Sequence, residues 1–154
     1  MAETALLTLS GTQQGAIPGD GPAGAIECLR FELGLAAKLD AAGRPTGGRH
    51  YDPLLVTKPL DRASPRLNQA LLSNESVEGL FKFFREDAGA RQHFYTVAIT
   101  GARIIGCREI LPDTLAPSSA GSPPLEELEF VFDHVEWTFV PDNVFSEDTV
   151  ILGP

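Results

Sequence analysis

The sequence is poor in the residues that usually carry chemistry. It has two cysteines, Cys28 and Cys107, far apart and each inside an apolar stretch. That is too few for a disulfide framework and the wrong spacing for a zinc knuckle, so both read as buried free thiols. The three histidines, His50, His93 and His134, stand alone in their segments, with no HxH or HExxH arrangement. No GxSxG surrounds any serine, and no GK[ST] follows the glycines at 15, 19, 21 and 24, so neither a hydrolase elbow nor a phosphate loop is present. No segment reaches the ~18 consecutive apolar residues that a membrane helix needs. The start, MAETALLTLSG, lacks the basic and apolar regions of a secretory leader. Basic residues number 12 against 21 acidic ones, for a net charge of −9. They form no dense run, which argues against nucleic acid and anionic membrane as partners.

What is present is apolar content of 43% in 154 residues, enough for one domain with a core. Fifteen Gly and 12 Pro punctuate short apolar runs, as strand ends and turns require. Thr4–Leu9 reads as a strand, followed by tight turns at Gly11, Gly15, Gly19 and Gly21. Ala25–Leu35 is a longer strand with Leu29, Phe31 and Leu33 on one parity and Ile26 and Cys28 on the other, which predicts a bulge or two-sided burial near residue 28. Asp40–Arg49 holds Gly43, Pro45, Gly47 and Gly48 with almost no apolar residue, so a long exposed loop is expected over about residues 36–50.

Pro53–Leu60 resumes as a strand, and Ser64-Pro65 then marks a helix over about residues 65–74, with Ser64 as cap and Pro65 at its first position. Further strands are expected at Gly79–Arg85, Gln92–Thr100 and Ala102–Leu111, with hairpin-like breaks at Ala88-Gly89-Ala90 and Thr100-Gly101. Pro112–Pro124 is a polar connection. Glu126–Val140 is the longest strand candidate, its apolar parity switching near Asp133-His134. Glu126, Glu127 and Glu129 read as its solvated edge, and Phe81, Phe83, Phe130, Phe132 and Trp137 as core. The tail 141–154 reads as loosely held, with Val150, Ile151 and Leu152 able to add an edge strand. The sum is a mainly β fold, a small two-sheet β-barrel with one flanking helix.

Four segments carry a resemblance. SGTQQGAIPGD (10–20), DPLLVTKPLDRASPRLNQALLSNE (52–75), HFYTVAITGARIIGCREIL (93–111) and LEELEFVFDHVEWTF (125–139) resemble, in order, the opening glycine pattern, the TK-to-SP turn with its helix, the central hairpin and the closing strand of the Hcp family, the tube proteins of type VI secretion. Lys58, Asp61, Ser64 and Pro65 are the matching turn and cap. The tail SEDTVILGP departs from the acidic, Trp-bearing end common in that family.

The resemblance implies a non-enzymatic subunit without cofactor or metal that forms a homohexameric ring. Rings stack into a tube, driven with a spike at its tip by a contractile sheath, and effector cargo rides in the lumen. It also implies export from the cytoplasm without a signal peptide. The loop bearing Asp40, Arg44 and Arg49 is then expected to meet the next ring. Two rival readings are a monomeric barrel holding an apolar ligand and a cupin-like metal barrel using His93 or His134.

Overall fold

Alternation of apolar and polar side chains builds the first strand of the computed structural model, which describes residues 3–150. In β1 (Thr4–Gly11) Ala5, Leu7 and Leu9 are buried and Thr8 and Ser10 face out. β2 (Gly15–Ile17) folds back on its end and β3 (Ile26–Cys28) pairs with its beginning, while β8 (Val77–Asp87) runs along its other side. All strand pairs among the described residues are antiparallel.

The centre of the fold is β9 (Ala90–Ile110), one strand of 21 residues. Its first half pairs with β8 and with β11 (His134–Phe139); its second half pairs with β10 (Leu125–Val131). Thr100-Gly101 is therefore a corner within a strand and not a hairpin break. Gly101 takes φ +57°, and a Cβ there would collide with the Asp133 carboxylate, so glycine is required where the strand passes from one sheet to the other. β10 continues to β7 (Leu54–Pro59) and β7 to β4 (Arg30–Glu32).

Both parity switches in the sequence prove to be sheet crossings. The expected strand Ala25–Leu35 is divided: β3 joins the β1 sheet, β4 joins the β7 sheet, and Leu29 between them donates its N–H to Thr57 O at 2.7 Å. The pairing path β1–β8–β9–β10–β7 thus returns to β1 through residues 26–32. Likewise Glu126–Val140 divides at Phe132-Asp133 into β10 and β11. Between the sheets lie Leu7, Ile26, Leu54, Val56, Phe81, Ile99, Leu128, Phe130 and Val135, all fully buried. Phe31, Phe81 and Phe130 meet edge to face, with centroids 4.9 and 6.4 Å apart. Among the described residues these side chains fill the interior between the sheets, which does not support the apolar-ligand barrel. Phe132 is buried as expected, whereas Phe83 and Trp137 are only partly buried, at the end where Tyr95 and Phe139 also lie.

Helix α1 (Ser64–Leu72) ends two residues short of the expected boundary and buries Leu67 and Ala70. Residues 36–50 are not a structureless loop. β5 (Leu35–Leu39) and β6 (Pro45–Tyr51) form a separate two-stranded hairpin, almost wholly exposed. The tail is likewise more ordered than expected: β12 (Val144–Thr149) pairs along β11, and Val150 packs against the core. Ile151 and Leu152, expected as an edge strand, lie outside the described residues.

Candidate functional site

The turn between β7 and α1 carries the matching residues, and their geometry is a sealed ion cluster. Lys58 is fully buried, and its ammonium has three N–H groups. They reach Pro59 O at 2.8 Å, Asp61 Oδ1 at 2.9 Å and Glu126 Oε2 at 2.9 Å. Ser64 Oγ donates to the same Glu126 oxygen at 2.7 Å and accepts the Asp61 N–H at 3.0 Å. Ser64 is therefore not the helix cap. It is the first helical residue, Pro65 is the second and not the first, and the Ala63 N–H is taken by Asp61 Oδ1 at 2.9 Å.

Glu126 is also corrected. It points inward from β10 and is completely buried, with Oε1 left unpartnered, and only Glu127 and Glu129 fit the solvated edge. Its acidic neighbours Glu127 and Glu129 hid this in the sequence; the usable signal was a Lys at 58 on an inward parity, which demands a buried counter-charge.

A second buried carboxylate ties the opening glycine segment to the other end of α1. Glu75, just past the helix, accepts the N–H groups of Gln13 and Gln14, each at 2.7 Å, and Gln14 Nε2 at 2.9 Å. Burial pushes its carboxyl up, but these donors outweigh burial and hold it below the usual carboxylate range. Gly11 is glycine because a Cβ there would land on the Glu75 carboxylate. Asp20 meets Arg62 at 2.7 Å. The segments 10–20, 52–75 and 125–131 thus converge on α1 and fix it against the sheets.

The remaining predicted residues lie on the projecting hairpin. Asp40 shapes its tip: Oδ1 accepts the N–H groups of Ala42 and Arg44, both at 2.9 Å, and Gly43 takes φ +80°. Arg44 stays exposed, 3.7 Å from Asp40. Arg49 is not free. It forms a two-pronged pair with Asp148 of β12, at 2.5 and 2.6 Å, and Tyr51 Oη donates to the same carboxylate at 2.7 Å. These partners depress the Asp148 carboxyl, the Arg49 side-chain bond foremost. The hairpin is thereby fastened to the tail strand, a contact between positions 99 apart that no local sequence pattern marks. Beside it β12 presents Val144 and Phe145 to solvent.

Reactive chemistry finds little support. Burial pushes the Cys28 thiol up to about 12 and the Cys107 thiol to about 11, so both stay protonated and poor nucleophiles. His93 bonds Thr96 Oγ1 at 2.7 Å, and burial with nearby Lys82 lowers its pKa. It pairs near the start of β9, while His134 lies across from Thr100 at that strand's midpoint, so the two histidines do not converge. His50 is exposed, 3.4 Å from Asp52.

Comparison with known proteins agrees with this architecture. Residues 7–139 match the family model described as "Type VI secretion system effector, Hcp". The chain is 28% identical to the "Major exported protein" of Pseudomonas aeruginosa over 96% of its own length and 95% of that protein's. Its fold superposes on the crystal structure of an Hcp protein with TM-score 0.90 at 23% identity, covering 99% and 100% of the two chains. A mutant form of Hcp1 from the E. coli EAEC 042 pathovar gives TM-score 0.84 at 24% identity, covering 96% and 99%.

Proposed function

The chain belongs to the Hcp family of type VI secretion, and from that premise we propose that it is a tube subunit whose copies close into a six-membered ring and stack. The observation that carries this is the family match across residues 7–139 on a chain in which three of the four matching segments lock α1 into the sheets. A subunit loaded mechanically along a tube needs such internal fastening. Among the described residues its edge strands β12 and β4 have one side unpaired, and head-to-tail closure by rotation covers edges of this kind.

In this reading the subunit is structural and catalyses nothing. It is made in the cytoplasm, exported through the secretion machine, driven by a contractile sheath behind a spike, and accommodates effector cargo in the ring's lumen. The hairpin β5–β6 is the stacking element. Its tip with Arg44 meets the adjacent ring, while Arg49 acts one step back by holding the hairpin to Asp148.

Light scattering after size exclusion tests the ring: the expected mass is six times 16.5 kDa, and negative-stain images show rings. Monomers at micromolar concentration in both measurements would overturn it.

A further inference from the structure

On the outer face of the β11–β12 pair, His134 stands opposite Thr149 and Glu136 opposite Glu147. Val135, between the first two, is buried on the inner face. Two carboxylates directly opposed on neighbouring strands repel each other, and nothing in the fold of an edge pair requires them. Here an imidazole sits between them. His134 Nε2 lies 3.5 Å from Glu147 Oε2 and 3.9 Å from Glu136 Oε1. The other ring nitrogen, Nδ1, is 3.0 Å from Thr149 Oγ1, which fixes the ring plane. The three candidate donor atoms all lie within 4.8 Å of one another.

We propose that His134, Glu136 and Glu147 form a divalent-cation site of zinc type, with Thr149 as a positioning residue. Zinc takes imidazole nitrogen and carboxylate oxygen at about 2.0–2.2 Å, so ligand atoms in a tetrahedral shell lie roughly 3.3–3.5 Å apart. The His134–Glu147 spacing already has that value, and a rotamer adjustment of the half-buried Glu136 supplies the other edge. A proton on Nδ1 donated to Thr149 leaves the Nε2 lone pair for the metal, the usual arrangement for a ligating histidine. One imidazole and two carboxylates favour zinc over magnesium, which prefers oxygen alone and keeps its waters. A solvent molecule completes the shell, so the site holds a cation without offering a buried reaction chamber. Its effect is mechanical: it clamps β12 to β11, one residue from the Asp148 that holds the hairpin.

The test is calorimetric titration of zinc chloride into the full-length protein near pH 7, followed by imidazole nitrogen NMR and amide hydrogen exchange. The expected result is one zinc per chain, a shift of the His134 Nε2 resonance, and slower exchange across residues 144–149. His134→Ala should abolish it, Glu147→Gln and Glu136→Gln should each weaken it about tenfold or more, and Thr149→Val about tenfold. His93→Ala should leave it unchanged, and magnesium in excess should not displace the zinc. Circular dichroism identifies any variant that fails to fold, and the wild-type NMR shift does not depend on the variants. Absence of one-to-one binding, or binding retained in folded His134→Ala, would overturn the site.

Discussion

Lys58 and Arg49 each tie together segments far apart in the chain, one inside the core and the other at the surface. Lys58 joins the start of α1 to β10 with no solvent contact, and its ammonium is ringed by four acceptors, of which Ser64 Oγ at 3.3 Å is the farthest. Arg49 joins the hairpin to the tail strand with side chains that water reaches. The chemistry is alike, ammonium or guanidinium on carboxylate, but the consequences of breaking it differ. A buried charge that loses its partner has no water to turn to, whereas an exposed one is simply hydrated. The interior cluster therefore belongs to the fold and the surface pair to placement of an exposed hairpin.

Removing the ammonium should produce the largest effect. Lys58→Met leaves Glu126 and Asp61 buried without their cation, and urea unfolding should register a loss of about 3–5 kcal/mol. Replacing Glu126 by Leu in the same chain should return part of it, because an apolar pair of similar volume removes the stranded charge. A loss below about 1 kcal/mol in the single variant would place the cluster in contact with solvent and erase the contrast.

Glu75 comes next. Glu75→Ala leaves the Gln13 and Gln14 N–H groups without acceptors, at a cost of about 2–3 kcal/mol. The folded carboxyl titrates below its unfolded value near 4.5. Its contribution is therefore complete above that value and disappears as pH falls through the lower folded one. The acid limb of the stability curve should flatten in the variant, and an unchanged limb would remove Glu75 as its source. Trp137→Ala should cost less than the 3–5 kcal/mol that full burial would predict, about 1–3 kcal/mol, because the indole is only partly covered at the open end of the sheets. If ring assembly covers that end, the deficit measured in assembled protein will exceed that in the monomer.

The same contrast explains what the sequence could reveal. Period-two patterning made β1, β7 and the aromatic core legible, since Leu7, Val56, Phe81 and Phe130 sit on inward parities in runs bounded by turns. Parity reports a change of face without reporting its cause, so the crossings at Leu29 and Asp133 looked like bulges. Gly101 looked like a turn because glycine marks a corner and a hairpin alike. Glu126 looked solvated because burial of a carboxylate depends on Lys58, 68 positions away, and no local pattern records that. The hairpin's apolar residues, Leu35 and Leu39 among them, stay exposed because neither of its faces is buried within the subunit, and its Gly- and Pro-rich second strand, PTGGRHY, carries no period-two pattern by which a strand is recognised.

The smallest effect on the subunit, and the most informative about its role, should come from the hairpin itself. Replacing its tip, Leu39 to Pro45, by a Gly-Ser pair removes exposed side chains only and keeps Arg49 on Asp148. Stability should change by no more than about 0.5 kcal/mol. Rings should persist while tubes fail to form, since the tip is the part that reaches beyond the barrel. Arg44→Ala is the milder version, and raising the salt on unaltered protein should imitate it, because an exposed guanidinium acting across an interface is screened within about 8–10 Å at physiological ionic strength. Light scattering and negative-stain imaging at low and high salt distinguish the outcomes. Collapse of the shortened protein to monomers would assign the hairpin to the lateral contact within a ring. Tubes forming as before would make it a solvated connection, and the Arg49–Asp148 pair would then be a fastening for an element without a partner.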